Sequence, residues 1–176
     1  MSPDLRYPIG PFVAPPTADS ATRATAIAAL AAAPHELRAA VTGLTREQLE
    51  TPYRPSGWTV RQVVHHVVDS HLNAYTRLRL ALTEERPTIR PYDESLWAEL
   101  VDARSMDVEV SLTLLEALHS RFVTLLSSLA DSDWQRRYVH PESGDHTVDY
   151  LLEMYAWHGR HHLAHVTALR TRMDWT

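Results

Sequence analysis

Hydrophobic positions recur at helical spacing in four long segments of the chain. The first segment runs from about Asp19 to Thr42 and is rich in Ala, Leu and Arg, with Pro34 inside it. Because a proline in a helix interior removes one backbone hydrogen bond, we expect a kink here or two abutting helices. A short helical turn is predicted next, where Thr45 and Gln48 have the spacing of a capping box.

The second long segment carries the clearest apolar stripe. After the loop TPYRPSGW, whose Pro, Ser and Gly content is typical of turns, Thr59 can cap a helix that runs to about Thr83. Its apolar positions recur three and four residues apart, which is the period of a half-buried helix. These positions are Val60, Val63, Val64, Val67, Leu72, Tyr75 and Leu78. The stretch ERPTIRPYDESLW holds two prolines and predicts an ordered loop with a short helical end.

Two further helices complete the pattern. From about Val108 to Leu129, the residues LTLLEALHSRFVTLL are again amphipathic. The segment RRYVHPESGD predicts a connecting loop, and Thr147 after it can cap a last helix that ends near Arg172. No segment shows convincing strand alternation, internal repetition or the composition of a domain linker.

Four long helices with moderate connections predict an all-α protein, a four-helix bundle. Residues 1–176 are predicted to form one domain, in which the proline-rich residues 1–17 are an irregular N-terminal arm. A chain of 176 residues with 44% hydrophobic and 22% charged residues suits one globular core. Only five glycines stand against abundant Ala, Leu and Arg, which also favours helices.

Charge and cysteine content restrict the function. The net charge is −5 and the charges are interspersed, so the basic stripe expected of a nucleic-acid-binding protein is missing. The chain has no cysteine, which excludes disulfides, cysteine-type zinc fingers and a thiol nucleophile of its own. No apolar run approaches the roughly 18 residues of a membrane span, and no secretory signal pattern opens the chain. We therefore expect a cytoplasmic protein without nucleic-acid or membrane partners.

Seven of the eleven histidines lie in two short stretches, HHVVDSH in the second long helix and HGRHHLAHV in the last. At about 100° per residue, His162 falls roughly 30° and His158 roughly 70° from the centre of the last helix's apolar stripe. His165 and His161 fall roughly 90° and 130° away and are predicted to point outward. Because His158 and His162 are four residues apart, their rings can converge on one cation, as in helical two-histidine zinc motifs.

The first histidine cluster leaves the choice of a further ligand open. His71 lies near the centre of the apolar stripe, while His65 and His66 flank it at similar angles. His65 has Arg61 four residues before it and Asp69 four residues after it, which is typical of a solvated charge stripe. Periodicity therefore leaves His66 and His71 as candidates and demotes His65. The competing interpretation is a set of ordinary buried histidines, because HxxxH without a neighbouring Glu is only a moderate signal.

Five segments carry a resemblance that covers nearly the whole chain. They are YPIG, TPYRPSGWTVRQVVHHVVDSH, LTEERPTIRPYDESLW, LLEALHSR and YAWHGRHHLAHVTAL. In these segments the chain resembles the YfiT-like branch of the DinB superfamily, bacterial four-helix-bundle proteins described as metal-dependent hydrolases. The combination is far more specific than HxxxH alone.

The resemblance implies that three histidines hold one divalent metal ion. The family places the first ligand eight residues after the tryptophan that opens the second long helix, and counting from Trp58 gives His66. The HxxxH pair on the last helix maps onto His158 and His162. The preference for His66 over His71 comes from the resemblance alone. Zinc is the expected metal, and histidine ligands suit nickel and iron as well.

Three histidine ligands leave at least one coordination position open, which is the mark of a catalytic zinc site. Water bound there can fall in pKa to about 7 and act as a nucleophile, or a substrate thiol can be held as a thiolate. The resemblance implies both chemistries, since related proteins are thiol S-transferases that use bacillithiol, mycothiol or glutathione. We expect metal-dependent hydrolysis of a small-molecule substrate, with thiol S-transfer as the alternative and a non-catalytic metal-binding bundle as the second alternative. The resemblance also favours a homodimer.

The general base stays open. The candidates in the family-like segments are Asp69, Asp93, Glu94 and His71, and each of them equally suits a surface, capping or structural role. Aromatic residues can line a pocket, although aromatics at helical spacing are more often core residues. Those considered are Trp58, Trp97, Trp157 and Tyr155. On the third long helix, His119 is predicted to be structural. A metal-free carrier or interaction module would require the three predicted ligands to lie too far apart for a common ion.

Overall fold

The computed structural model describes residues 4–15 and 18–175, and this part of the chain is mostly helical. In chain order the helices are α1 (Ser20–Val41), α2 (Arg46–Leu49), α3 (Val60–Thr83), α4 (Glu94–Ala98), α5 (Val101–Ser105), α6 (Val108–Ser127) and α7 (Val148–Arg172). The predicted arm is irregular over residues 4–15, and its residues 1–3, 16 and 17 lie outside the described residues. Across the described ranges, none of the helices has the length and apolar character needed to cross a bilayer.

Side-chain caps fix where the helices begin. At the start of α3, Gln62 donates its backbone N–H to Thr59 Oγ1, and Thr59 donates its own N–H to Gln62 Oε1. An equivalent capping box opens α2, and Thr147 caps α7, so the three predicted caps are confirmed. Each cap satisfies backbone N–H groups that have no partner inside the helix and typically contributes about 1 kcal/mol to stability.

Helix α1 continues through Pro34, so of the two predicted alternatives, a kink or two abutting helices, the second is wrong. Proline has no N–H to donate to the carbonyl of Leu30, four residues earlier. That carbonyl lies 2.6 Å from Nδ1 of His119, which belongs to α6. A side chain from a neighbouring helix therefore supplies the hydrogen bond that Pro34 removes.

The four long helices have an order that a simple up-and-down bundle does not have. Helix α1 packs against α6 and α7, and α3 packs against the same two helices. Consequently α1 and α3, which follow one another along the chain as long helices, occupy diagonal corners of the bundle. In an up-and-down bundle consecutive helices are neighbours. The ordered loop between α3 and α6 contains the predicted short helix α4 and also α5, which the sequence does not predict.

A layer of imidazoles crosses the bundle between two apolar clusters. One cluster is built around Leu30, Leu78, Phe122 and Leu151, and the other around Leu37, Val64, Leu115 and Val166. The boundary between the clusters passes Pro34 on α1 and lies near His71, His119 and His158 on the other three long helices. The polar layer is therefore enclosed by hydrophobic packing above and below.

A β-hairpin stands where the sequence predicts a loop. Strand β1 (Arg137–His140) pairs antiparallel with β2 (Gly144–Thr147), with Tyr138 opposite His146. The prediction that the chain has no strand is therefore wrong. Each strand has only four residues, and buried and exposed residues do not alternate cleanly along it. Such alternation is the pattern by which a strand is predicted from sequence. At the turn Gly144 has φ 92°, a backbone conformation that favours glycine.

Candidate metal centre

His66, His158 and His162 converge inside the bundle. His66 lies on α3, and the other two lie one turn apart on α7, which packs against α3. Each side chain offers one ring nitrogen, and these nitrogens all lie within 4.8 Å of one another. The structure thus brings together the three residues that the sequence predicts as ligands, and their metal-binding role stays a prediction.

The spacing of these nitrogens suits a metal ion. Nε2 of His66 lies 3.3 Å from Nε2 of His158. Zinc–nitrogen bonds of about 2.0–2.1 Å in tetrahedral geometry place two ligand nitrogens about 3.4 Å apart. Three imidazoles are also a donor set that zinc, nickel, copper and iron accept. The residues present therefore fit a divalent transition metal.

The local sequence of α3 directs His66 to this position. The capping box at Thr59 and Gln62 fixes the start of the helix, so the rotation of His66 about the axis is set two turns later. Trp58, immediately before the cap, places its ring 4.5 Å from the ring of His66. The side chain of His66 is held between this indole and α7.

His71 lies behind the centre rather than in it. It is completely buried, with Nε2 3.2 Å from Nδ1 of His158 and Nδ1 2.8 Å from Nε2 of His119. Because both ring nitrogens of His71 meet other imidazoles, this residue does not face a substrate. His119 is buried as well, and its contacts with Leu30 and His71 agree with its predicted structural role.

Burial favours the neutral form of all three predicted ligands. Desolvation lowers the pKa of His66 to about 4, with a smaller contribution from the charges of His161 and His165. Burial, and secondarily the neighbouring histidines, lowers the pKa of His158 and of His162 well below its ordinary value. A neutral imidazole keeps the lone pair that coordination requires. At neutral pH the cluster therefore presents the metal-competent form of each ring.

A cavity of about 340 Å³ opens onto the three histidines. The other residues that form its wall include Ser70, Arg77, Tyr92, Glu94, His140, Glu142, Tyr155 and Trp157. They come from α3, the start of α4 and the loop before it, the hairpin and α7. A concave site with a few convergent polar groups is the usual form of a small-molecule site.

The cavity separates the candidates for a general base. Glu94 lines it, whereas Asp93 uses its carboxylate to cap α4. Asp69 is half-buried outside the cavity wall, where burial and, secondarily, the charge of Asp102 raise its pKa to about 6. Glu142 also lines the cavity and was not predicted, because only the hairpin brings it there.

Three of the four aromatic residues considered for a pocket do line the cavity, namely Trp58, Trp157 and Tyr155. Trp97 does not line it. This indole is partly exposed and packs 4.4 Å from the ring of Tyr92, which forms part of the wall. Trp97 therefore supports the wall from outside.

Arg77 is a cavity residue that the sequence does not single out. Its guanidinium donates to the hydroxyl of Tyr155 at 3.1 Å, and its buried Nε has no hydrogen-bond partner. Among residues 4–15 and 18–175, no carboxylate forms an ion pair with it. Burial raises the pKa of Tyr92 to about 12 and also raises that of Tyr155, so both hydroxyls stay protonated. The hydrophobic period of α3 does not distinguish Arg77 from the other charged residues of this helix, so its place in the cavity could not be predicted from the sequence.

His65 is buried, so the prediction of a solvated charge stripe is wrong. Its Nδ1 lies 2.7 Å from Ser111 Oγ, and its Nε2 lies 3.2 Å from the carbonyl oxygen of Met106. Arg61, one turn earlier, is also buried and donates to Glu50. The segment around α5 and the start of α6 covers this face of α3, which a helical wheel cannot show.

His161 and His165 are also buried, contrary to the outward positions predicted for them. The ring of Tyr7 lies 5.9 Å from that of His161, and the carbonyl of Arg6 lies 3.1 Å from Nε2 of His165. Tyr53 stacks on His165 at 4.0 Å. The N-terminal arm and the loop before α3 thus cover the outer face of α7. A wheel treats that face as solvent because it considers one helix at a time.

The fold and the site together place this chain in the class of four-helix-bundle proteins that have a candidate histidine metal site beside a cavity. The chain belongs to the DinB superfamily, whose family model matches residues 29–166. A protein of Bacillus cereus (strain G9842) is 52% identical over 172 residues, which cover 98% of this chain and 99% of that protein. A protein of Bacillus mycoides is 51% identical over the same shares. Both are described as "Putative metal-dependent hydrolase".

Solved structures agree with this family and confirm the predicted fold. YfiT from Bacillus subtilis, described as "a probable metal-dependent hydrolase with an unusual four-helix bundle topology", matches with a TM-score of 0.96 and 46% identity. The match covers 98% of this chain and 99% of YfiT. Another four-helix bundle protein shares the fold with a TM-score of 0.59 and 22% identity. That match covers 84% of this chain and 99% of the other protein. In this chain the diagonal placement of α1 and α3 differs from the order of helices in a simple up-and-down bundle.

Proposed function

We propose that this protein is a metal-dependent hydrolase that holds one divalent ion through His66, His158 and His162. Zinc is the expected ion, and nickel and iron are the alternatives. One observation carries this proposal, the convergence of ring nitrogens from three histidines within 4.8 Å beside a cavity. When bound, the ion would supply an open coordination position and lower the pKa of a bound water to about 7. The descriptions of the Bacillus relatives support the same activity.

The proposed substrate is a small molecule with an acidic group. Arg77 faces the cavity without an ion-pair partner in the described chain, and its planar guanidinium can bind a carboxylate through two hydrogen bonds. Tyr92 and Tyr155 keep their protons at neutral pH and donate hydrogen bonds to the bound substrate. These three groups orient a substrate whose scissile bond faces the histidines.

Glu94 is the carboxylate proposed to accept the proton of the attacking water. It lines the cavity and is exposed to solvent, so it can pass the proton on. Glu142 lines the same cavity from the hairpin and is the matched comparison. A much larger loss of kcat in Glu94→Gln than in Glu142→Gln would support the assignment, and the reverse order would transfer the role to Glu142.

Metal content per chain tests the site directly. Protein purified without a tag and without a chelator is expected to contain about one metal ion per chain by elemental analysis. His66→Ala, His158→Ala and His162→Ala should each bring this value close to zero. The exposed His35 on α1 provides the control His35→Ala, which should keep the full value. Unchanged metal content in His158→Ala or His162→Ala would show that the ligands are wrong.

Thiol S-transfer is the alternative function, and the same cavity can host it. The chain has no cysteine, so the thiol must arrive as a cosubstrate such as bacillithiol, mycothiol or glutathione. Its thiolate would attack an electrophilic carbon and displace a leaving group, and a carboxylate of glutathione or bacillithiol would bind Arg77. Incubation with glutathione and a chloro-substituted electrophile distinguishes the two functions, because S-transfer consumes one thiol for each chloride released, whereas hydrolysis consumes none.

A metal-binding bundle without catalysis is the second alternative. In that case added zinc would raise the melting temperature by mass action, while neither hydrolysis nor thiol consumption would exceed the rate of the His162→Ala variant. The homodimer and the cytoplasmic location stay predictions. Light scattering in solution tests the first of them.

A further inference from the structure

Each of the four long helices contributes one group to a line of hydrogen bonds that ends at His158. The carbonyl oxygen of Leu30 lies 2.6 Å from Nδ1 of His119, whose Nε2 lies 2.8 Å from Nδ1 of His71. Nε2 of His71 lies 3.2 Å from Nδ1 of His158. We call these four residues the histidine relay. It crosses the bundle from α1 to α7 through α6 and α3.

The relay begins at a carbonyl that a proline leaves available. Pro34 is buried inside α1 and cannot donate to Leu30, so the helix provides no partner four residues on. An unpaired buried carbonyl costs free energy, which makes the bond from His119 favourable. Pro34 therefore anchors one end of the line.

The carbonyl of Leu30 determines which nitrogen of each histidine in the relay carries the hydrogen. A carbonyl oxygen only accepts, so Nδ1 of His119 carries the hydrogen. A neutral imidazole has one N–H, so Nε2 of His119 accepts from Nδ1 of His71, and Nε2 of His71 accepts from Nδ1 of His158. Both rings are buried, with 2% exposure for His119 and 0% for His71, and burial favours the neutral form of an imidazole. The remaining nitrogen of His158, Nε2, is then left with its lone pair.

We propose that His71 and His119 are positioning residues that hold His158 as the Nδ1–H tautomer, with its Nε2 lone pair directed at the metal position. The assignment of His158 as a ligand rests on the proposed function; the tautomer itself does not. Nε2 of His158 is the atom that lies 3.3 Å from Nε2 of His66. The relay therefore selects the tautomer that coordination at this nitrogen requires.

His162 is oriented in the same way from the other side of α7. Nε2 of His165 lies 3.1 Å from the carbonyl oxygen of Arg6, so this nitrogen carries the hydrogen. Nδ1 of His165 then accepts from Nδ1 of His162, 3.4 Å away. This direction predicts the Nδ1–H tautomer for His162 as well, and the same spectra as for His158 test it. Two separate backbone carbonyls thus direct the two predicted ligands of α7.

Tautomers can be measured without metal. In metal-free protein labelled with ¹⁵N-histidine, two-bond ¹H–¹⁵N correlation spectra distinguish Nδ1–H from Nε2–H rings. We expect Nδ1–H for His158, His71 and His119 in the wild-type protein. A spectrum in which His158 is the Nε2–H tautomer would overturn the proposal, and this measurement depends on no variant.

Metal affinity provides a second readout. His119→Phe keeps a ring but removes both hydrogen bonds, and the loss of such an outer partner typically weakens metal binding about 10–100-fold. His119→Gln can donate its amide N–H to Leu30 and accept from His71, so its affinity should recover toward that of the wild type. Phe122→Leu, a core change 6.4 Å away in ring distance, controls for general destabilisation and should keep the wild-type affinity. Zinc affinities are measured by competition with a chromogenic chelator.

The outcomes separate the relay from the proposed function. Nδ1–H tautomers in a wild-type protein that binds neither zinc nor nickel nor iron would support the relay and remove the proposed function. Normal zinc binding by His119→Phe with an unchanged His158 tautomer would overturn the relay and leave the function standing. Loss of affinity in His119→Phe with recovery in His119→Gln would support both.

Discussion

The indole of Trp58 packs against the imidazole of His66 with ring centroids 4.5 Å apart, and it lies 6.4 Å from the ring of His162 at an angle of 22°. One residue before the cap of α3 thus contacts two predicted ligands on different helices. Trp58 also lines the cavity. It is therefore both a wall of the candidate site and an optical reporter of its occupancy.

Nickel or copper binding should quench the fluorescence of the two tryptophans that line the cavity, Trp58 and Trp157. We expect a saturable decrease in wild-type emission, and a smaller decrease in Trp58→Phe at a similar metal affinity. Trp134 lies in the core away from the cavity, so Trp134→Phe should preserve the quenching and serves as the control. Equal quenching in the wild type and in the double variant Trp58→Phe/Trp157→Phe would mean that the metal binds elsewhere.

A partly buried ion pair should contribute substantially to the packing of α1 on α7. Arg23 donates to both carboxylate oxygens of Asp149, at 2.7 and 2.9 Å, and the side chains are only 14% and 12% exposed. Asp149→Ala leaves the guanidinium without this partner, which should lower the free energy of unfolding by about 2–3 kcal/mol. Urea denaturation measures this loss. The control is Arg104→Ala, which breaks an exposed pair with Glu99 and should change stability little. Equal effects of the two variants would contradict this prediction.

The long helices could be predicted because their signals are local. Thr59 and Thr147 mark helix starts through bonds to residues three positions away, and an apolar period is visible within one segment. The diagonal order of α1 and α3 depends on contacts between distant segments, so no single segment encodes it visibly. The hairpin was missed for a related reason, since its short strands are stabilised by the loop at Ile89, whose N–H donates to Val139.

The candidate site was predictable only in part. The period of α7 pointed to His158 and His162, which the structure does bring together, whereas His66 required the family resemblance. The burial of His165 could not be predicted, because it depends on the arm lying across α7. Arg77 was missed because an arginine on a helix surface and one in a cavity have the same sequence pattern.

Asp69 should make the protein less stable as the pH rises from about 4 to 6. Its pKa is raised from 3.8 to about 6 in the folded state, so in this interval the folded protein binds more protons than the unfolded chain. The folded state therefore loses stability until the carboxylate is fully ionised. Asp69→Asn removes this cost and should stabilise the protein by about 1 kcal/mol at pH 7.5, a value reduced for solvent screening, and by little at pH 4.

Urea denaturation at the two pH values tests the role of Asp69. Asp102→Asn should recover a smaller part of the stability, because the charge of Asp102 is the lesser cause of the shift. Metal content should be unchanged in Asp69→Asn, since Asp69 does not line the cavity. A variant that is less stable than the wild type at pH 7.5 would show that the ionised carboxylate is stabilising.

Arg77 should determine the preference for acidic substrates. Arg77→Met keeps the aliphatic stem but removes a charge-assisted hydrogen bond worth about 1.5–3 kcal/mol, which corresponds to roughly a 10–100-fold rise in KM for an anionic ester. A neutral ester of the same shape should be affected much less, because it makes no ion pair. Arg79→Met, the same change at an exposed position of α3, is the control and should leave both KM values unchanged. If Arg77→Met raised KM equally for the two esters, the guanidinium would shape the cavity without recognising charge.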